Sequence, residues 1–180
     1  MKEPTGRKDG TRVPMKPPFE QVVATHGPMV LRVCRAVAGP DDAEDGWSET
    51  FISAMAAYQD LPDDANLQAW LVTIAHRKAI DILRGRARRP VPVDSAPDRP
   101  SRLGIPDSGN QDLWDAVKAL PDKQRQSIAY HYLGGLPFAD IAGLLGGTAA
   151  AARRAAADGI KSLRTRYAHP AHPGARSEER

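Results

Sequence analysis

The chain has 180 residues, a formal net charge of +3 at pH 7 and a hydrophobic fraction of 41%, which is enough apolar material for one medium-sized domain or two small ones. It contains no apolar run long enough for a membrane span, and its first 20 residues lack the apolar stretch of a signal peptide, so neither feature is expected. The single cysteine, Cys34, excludes an internal disulfide and is typical of a reducing compartment, which predicts a cytoplasmic protein.

The charges are unevenly distributed along the chain. Residues 40–66 carry eight acids and no Lys or Arg, residues 77–89 carry six bases against one acid, and residues 153–166 carry five more bases. Two basic segments with an acidic segment upstream indicate a chain that binds nucleic acid and also a protein partner. Charge alone is equally compatible with helices that merely have solvated faces.

The first half of the chain has helical periodicity. It predicts helices over residues 19–38, 43–58 and 67–86. Asp41 or Asp42 is a natural N-cap for the second of these helices and Asn66 for the third. The apolar stripe of the second helix is expected to consist of Trp47, Phe51, Ala54, Met55 and Tyr58.

The third predicted helix is amphipathic. At about 100° per residue, Arg77, Asp81 and Arg84 share the outer face, and Asp81 is placed to hold Arg77 by an i,i+4 pair. Trp70 lies in the first turn, where its ring can either stack on an unpaired base or anchor the core. The buried stripe is expected to consist of Leu71, Ala75, Ala79, Ile82 and Leu83.

The composition changes after Arg89. Residues 89–110 contain five prolines and no apolar periodicity, which predicts a linker. Helical signal resumes at Asp112, restarts at Pro121 and again at Pro137, and ends near Tyr167. The sequence therefore predicts an all-α fold of two small helical domains. The predicted divisions are a disordered tail (1–17), a first domain (18–89), a Pro-rich linker (90–110), a second domain (111–167) and a disordered tail (168–180).

The second domain contains a helix-turn-helix pattern. A short helix from Pro137 ends at Gly146-Gly147, and Thr148 caps a second helix, which in this motif enters the DNA major groove. One side of that helix is small and suited to close packing, with Ala149, Ala152, Ala156, Gly159 and Leu163. The other side is cationic, with Arg153, Arg154, Ala157, Lys161 and Arg164. An alanine-rich solvated helix is the open alternative.

Two stretches resemble conserved regions of bacterial RNA polymerase sigma factors. The second conserved region is similar to DDAEDGWSETF, residues 41–51, followed by NLQAWLVTIAHRKAIDILR, residues 66–84. The fourth is similar to LPDKQRQSIAYHYLGGLPFADIAGLLGGT, residues 120–148. A tether of about 20 residues is too short for the middle domain of primary sigma factors, so the chain resembles the two-lobed extracytoplasmic-function branch.

The resemblance implies three binding surfaces. The clamp helices of the polymerase largest subunit would bind an acidic helix with Asp42, Glu44, Asp45, Glu49, Thr50 and Phe51. The minus-ten promoter element would be bound and opened by Asn66, Trp70, Arg77, Lys78, Asp81 and Arg84. The minus-thirty-five element would be read as duplex by Thr148, Arg153, Arg154, Ala157 and Lys161. The second lobe would also sit on the polymerase flap, and an anti-sigma factor is a possible partner.

The chain departs from the family pattern at several positions. Ala155 and Asp158 stand in the recognition helix where many members carry arginines, Pro137 replaces a common serine, and Gly46 replaces an aliphatic residue, followed by an atypical Trp47-Ser48. These departures concern the promoter contacts rather than the architecture.

The sequence predicts a promoter-specificity subunit rather than an enzyme. It contains no phosphate-binding loop, nucleophile elbow or Ser-His-Asp arrangement. No metal and no cofactor are expected, because Cys34 is alone and the histidines are scattered. The histidines are His26, His76, His131, His169 and His172.

Two other functions remain open from the residues. The chain can be a helix-turn-helix regulator that binds duplex DNA without polymerase. It can also be an interaction protein that binds polymerase or a regulator without reading DNA.

Overall fold

A computed structural model describes residues 16–88 and 111–168. Within those residues it contains α-helices and no strand, which confirms the predicted all-α fold. Almost all of the two predicted tails, the predicted linker, and His169 and His172 lie outside the described residues. The helices are α1 (Phe19–Ala38), α2 (Ala43–Ala57), α3 (Leu67–Arg88), α4 (Gln111–Lys118), α5 (Asp122–Ile128), a π-helical turn (Ala129–Leu133), α6 (Phe138–Leu145) and α7 (Ala149–Ala168).

Lobe one consists of α1 to α3, packed through branched and aromatic side chains. Val30 and Val33 of α1 are fully buried against α2 and α3, and the rings of Phe19 and Phe51 meet edge to face at 6.3 Å. The predicted stripe of α2 is wrong at Met55, which is 61% exposed. In α3, Leu71, Ala75 and Ala79 are buried as predicted, whereas Ile82 and Leu83 are only half-buried.

The predicted caps have different outcomes. The Asn66 side-chain oxygen accepts a hydrogen bond from the Ala69 amide at 3.1 Å, and the Thr148 hydroxyl oxygen accepts one from the Ala151 amide at 3.1 Å, so both of these caps are confirmed. Asp42 occupies the N-cap position of α2, but its carboxylate makes no capping hydrogen bond. It pairs instead with Nε of Arg86, 3.0 Å away in α3.

Lobe two consists of α4 to α7, and its helices cross closely because small residues line α7. Ala152, Ala156 and Gly159 are buried, as the sequence predicts. A Cβ added at Gly159 would lie 2.5 Å from the Ile128 Cδ1 atom of α5, so glycine permits the helices to approach. The turn before α7 has a φ of +67° at Gly146, a conformation that other residues rarely adopt.

The two lobes pack against each other, which the sequence did not predict. The Arg35 guanidinium lies over the Trp114 ring, 4.6 Å from its centroid. The Gln68 amide nitrogen donates to the Gly134 carbonyl at 2.7 Å, and the Tyr130 hydroxyl lies 2.6 Å from Nδ1 of His76. The described residues of both lobes consequently share one continuous apolar core.

No helix in residues 16–88 or 111–168 is both long and apolar enough to cross a membrane.

Candidate polymerase and nucleic-acid interfaces

The outer face of α3 is exposed and mainly cationic. Arg77, Asp81 and Arg84 are exposed, and the predicted pairing of Asp81 with Arg77 is wrong, because the Asp81 carboxylate faces Arg84 instead, at 4.0 Å. Both of these side chains are about two-thirds exposed, so the pair is weak. Lys78 is half-buried and lies 3.3 Å from the Glu49 carboxylate of α2, which joins the α3 face to its neighbouring helix.

Trp70 and Asn66 have structural roles at the start of α3. The Trp70 ring is half-buried against the core, with its centroid 6.3 Å from that of Tyr58. Asn66 supplies the cap of α3. Of the two readings left open for Trp70, this packing favours the core anchor, and part of the side chain stays accessible.

The outer face of α2 combines acids with apolar side chains. Glu44, Asp45 and Glu49 are exposed, and Ile52 and Met55 on the same helix are 59% and 61% exposed. Large apolar side chains left in water mark a binding surface when they lie together. Sequence reasoning missed Ile52 and assigned Met55 to the core, although the three-residue spacing between them was available as a signal.

Three residues predicted to contact polymerase are buried and belong to the lobe itself. Thr50 is 0% exposed and Phe51 is 6% exposed, and the Thr50 hydroxyl donates to the Gly46 carbonyl at 2.6 Å. Asp42 is 8% exposed and paired with Arg86. These three side chains point toward α1 and α3 and hold α2 in place. The prediction that they contact polymerase directly is corrected, because they are buried.

Helix α7 presents its cationic side outward. Arg153, Arg154, Ala157 and Lys161 are all exposed, as the helical spacing predicts. The Arg153 guanidinium lies 5.4 Å from the centroid of the Phe138 ring, and that ring stacks on His131 at 4.0 Å. Helix α6 therefore contacts the cationic side of α7 through the Phe138 ring, which is itself stacked on His131.

Burial is the largest cause of the pKa shifts of three groups in lobe one. Burial raises the pKa of the Cys34 thiol to about 12, so the thiol stays protonated at neutral pH. Burial also raises the pKa of the Asp42 carboxyl, and the nearby Arg86 opposes that shift. Burial, followed by the charges of Arg77 and Arg84, holds the pKa of the His76 imidazole below its ordinary value.

Lobe two contains a helix-turn-helix whose second helix is cationic, and lobe one has a second cationic face. This architecture is typical of a DNA-binding transcription protein. Two family comparisons make this class specific. The Sigma-70 region 2 family matches residues 22–89, and the Sigma-70, region 4 family matches residues 110–163. The chain belongs to the sigma-70 family of RNA polymerase sigma factors.

Relatives of similar sequence are named as RNA polymerase sigma factors. The chain is 34% identical over 104 residues to the ECF RNA polymerase sigma factor SigK of Mycobacterium bovis, a match that covers 53% of this chain and 56% of SigK. It is 28% identical over 156 residues to the RNA polymerase sigma factor CarQ of Myxococcus xanthus, covering 81% of this chain and 87% of CarQ. The match to SigK thus spans little more than half of that relative.

Two solved structures share the fold. One is the sigma factor RpoE in complex with the anti-sigma factor NepR from Bartonella quintana, with a TM-score of 0.68, 23% identity, and coverage of 84% of this chain and 98% of that one. The other is CnrH in complex with the cytosolic domain of CnrY, with a TM-score of 0.60, 21% identity, and coverage of 83% and 87%.

Proposed function

We propose that this chain is a sigma factor that binds core RNA polymerase in the cytoplasm, recognises promoter DNA through both lobes and promotes transcription initiation. The observation that carries the proposal is the presence of both sigma-70 regions in order on one chain, each with an exposed cationic helix face. The polymerase would perform the chemistry, so the chain itself is proposed not to be an enzyme.

The proposed polymerase surface is the outer face of α2. Its members are exposed acids and apolar side chains, a combination that suits a basic partner surface with apolar patches. The proposed surface comprises Glu44, Asp45, Glu49, Ile52 and Met55. Lobe two is proposed to sit on the polymerase flap.

The proposed DNA surfaces are the cationic faces of α3 and α7. The α3 face, with Asn66 and Trp70 at its start, is proposed to bind the minus-ten element, where bases must leave the stack. Base extrusion costs a few kcal/mol, which the protein must offset. The minus-ten set is Asn66, Trp70, Arg77, Lys78, Asp81 and Arg84.

The α7 face is proposed to read the minus-thirty-five element as duplex. Arginine suits this role because its planar fork pairs with guanine or straddles a phosphate. Ala157 would contact apolar base edges, and Thr148 would act chiefly as the cap that fixes where α7 begins. The duplex-reading set is Thr148, Arg153, Arg154, Ala157 and Lys161.

An anti-sigma factor is a further proposed partner. It is supported by the two solved structures that share the fold, both of which are complexes, one explicitly with an anti-sigma factor.

Promoter-dependent run-off transcription with core polymerase, on a library of promoter sequences, tests the function and reads the specificity in one experiment. We expect transcripts only when the chain is added. A variant with Arg153→Ala and Arg154→Ala should still comigrate with polymerase but lose promoter selectivity. A chain that neither comigrates with polymerase nor yields transcripts would refute the proposal.

The alternative of a polymerase-independent regulator makes a different prediction. Such a regulator binds its duplex site tightly by itself, usually as a dimer on a palindrome. The presence of region 2 in addition to the helix-turn-helix disfavours this alternative, since a regulator of that kind has no need of it. A gel-shift with the free chain on promoter duplex distinguishes the two.

A further inference from the structure

The turn between α2 and α3 leads directly into the proposed minus-ten residues. It ends at Asn66, whose side chain caps α3 and whose carbonyl accepts a hydrogen bond from the Trp70 amide at 3.0 Å. Residues 59–66 are all exposed or half-buried, and Leu61 packs partly against the core. Packing therefore fixes this turn only weakly, although the positions of Asn66 and Trp70 depend on it.

Lys16, which precedes α1, binds this turn with its side chain. Its ammonium donates to the carbonyls of Tyr58 at 2.8 Å and Gln59 at 3.3 Å, and also to the Leu61 carbonyl. A lysine ammonium has three N–H donors, so these three hydrogen bonds use all of them. The backbone of the turn thus converges on one cation from a distant part of the sequence.

The charge of Lys16 suits its position beyond the end of α2. The carbonyls at a helix C-terminus carry a partial negative charge, and α2 has no basic residue in its own last turn. The Lys16 side chain is only 15% exposed, and a lysine is rarely so buried without partners. The Asp63 carboxylate, 3.9 Å away and 59% exposed, adds a weak attraction, so the carbonyls are the main partners of the ammonium.

Tyr58 connects this anchor to Trp70. The Tyr58 hydroxyl donates to the Pro17 carbonyl at 2.5 Å, and Nζ of Lys16 lies 5.0 Å from the centroid of the Tyr58 ring. The centroid of the same ring lies 5.2 Å from that of Phe19 and 6.3 Å from that of Trp70. The segment before α1, the end of α2 and the start of α3 are consequently held together by reciprocal contacts.

We propose that Lys16 and Tyr58 are positioning residues for recognition of the minus-ten element. They hold the turn in the geometry in which Asn66 and Trp70 engage unstacked bases. A turn that is fixed in advance loses less conformational entropy when it binds, whereas a loose turn adapts to other bases, as the flexible surfaces of promiscuous binders do. The inference rests on the proposed function for this consequence, but the anchoring of the turn is a property of the free chain.

Amide hydrogen exchange in the free, full-length chain tests the anchoring. The Ala65 amide reports on the turn, because it donates to the Pro62 carbonyl at 3.1 Å. Lys16→Met keeps the apolar stem and removes the ammonium, so it should accelerate exchange at Ala65 by about tenfold, the factor expected for one charge-assisted hydrogen bond. Lys123→Met, at an exposed lysine of α5, is the matched control. Equal exchange in the two variants overturns the proposal.

Competition between promoters in one transcription reaction with core polymerase tests the positioning role. A promoter selected from the library competes with copies altered at one minus-ten base or at one minus-thirty-five base. The ratio of the transcripts does not depend on how much of the chain is folded, so a loss of stability alone does not change it.

The two promoter elements should respond differently to Lys16→Met. The variant should lower the minus-ten ratio severalfold from the factor of about ten that one mismatch typically costs, and it should leave the minus-thirty-five ratio unchanged. An unchanged minus-ten ratio overturns the proposal, and so does an equal fall in both ratios.

Tyr58→Phe is a second variant that keeps the buried ring and removes only the hydroxyl bound to Pro17. It should act in the same direction as Lys16→Met, with exchange at Ala65 faster by about fivefold, the factor expected for one neutral hydrogen bond. Tyr132→Phe is its matched control, because Tyr132 is 58% exposed. If the two tyrosine variants have equal exchange and equal minus-ten ratios, with circular dichroism unchanged, Tyr58 is not a positioning residue.

Failure of the proposed function and failure of this inference have different signatures. A chain that yields no promoter-dependent transcript refutes the proposed function and, with it, the consequence for the minus-ten element. The exchange measurement needs no polymerase, so the difference between Lys16→Met and Lys123→Met still decides whether Lys16 anchors the turn.

Discussion

The two lobes differ in the side chains that their most closely packed helices use. Lobe one is filled with large side chains, including Phe51, Leu71 and a row of α1 valines, whereas lobe two depends on small residues of α7 that let helices approach. Removal of atoms should therefore be costly in the core of lobe one, and addition of atoms should be costly on the packed side of α7. The same difference explains how α7 can be so rich in alanine and still be a specific, packed element rather than a solvated spacer.

The largest expected effect is the removal of a large side chain from lobe one. Phe51→Ala should lower the free energy of unfolding by about 3–5 kcal/mol, because a buried ring is lost and a cavity remains. Chemical denaturation measures this change. Ile52→Ala, at the neighbouring exposed position, should change stability by less than about 0.5 kcal/mol.

The Phe51→Ala and Ile52→Ala variants also distinguish a structural role from a binding role on α2. Ile52→Ala should weaken the affinity for core polymerase, because Ile52 lies on the proposed surface, without lowering the melting temperature. If a double variant with Ile52→Ala and Met55→Ala binds core polymerase as tightly as the parent chain, the apolar patch is excluded from the interface.

The complementary change adds atoms to lobe two. Gly159→Val should lower the free energy of unfolding by about 1–3 kcal/mol, the usual cost of overpacking, since even a Cβ there would lie 2.5 Å from Ile128 Cδ1 and 3.2 Å from Gln124 Cβ. Gly143→Val in α6 is the matched control, because a Cβ there meets nothing within 4 Å. Equal stability of the two variants would contradict the proposed dependence on close approach.

A smaller effect is expected on DNA affinity at the cationic side of α7. In the complex of this chain with core polymerase, Arg153→Ala should weaken binding to the preferred minus-thirty-five sequence by about 1–3 kcal/mol if the guanidinium makes a bidentate base contact. Competition between promoter sequences measures this change, with Arg32→Ala on the exposed surface of α1 as the control. An equal loss on every sequence would instead assign Arg153 to a phosphate.

Much of the architecture was predictable because it is written in local signals. Helical periodicity, the glycine turn before α7, and the side-chain caps of Asn66 and Thr148 all depend on residues close together in sequence. The cationic side of α7 was predictable for the same reason, since a helix fixes the direction of each side chain from its spacing.

Most of the failures concern contacts between distant residues. Asp42 fits an N-cap by its position in sequence, but Arg86, 44 residues away in sequence, takes its carboxylate. Thr50 is part of an acidic segment that resembles a docking helix, and only the packing of α1 and α3 around α2 decides that it is buried. The interlobe contact was not predictable either, because a proline-rich linker gives no sign that the lobes it joins will pack together.

The smallest expected effect is on pH dependence, and it also probes the interlobe contact. Because the pKa of His76 in the folded chain lies below its ordinary value, the imidazole is neutral in both folded and unfolded chains above about pH 6.5, where the group costs no stability. As the pH falls from there through the lowered value, the unfolded chain takes up the proton first, so stability is lost. The Tyr130 oxygen can accept a hydrogen bond from the protonated ring, which limits the loss.

His76→Gln isolates this contribution, since its amide oxygen can accept the Tyr130 hydrogen bond but does not titrate. Denaturation at pH 7.5 and pH 5.5 should show a smaller loss of stability in His76→Gln than in the parent chain. Burial also lowers the pKa of His26, which acts in the same direction, so His26→Gln provides the comparison within lobe one and away from the contact.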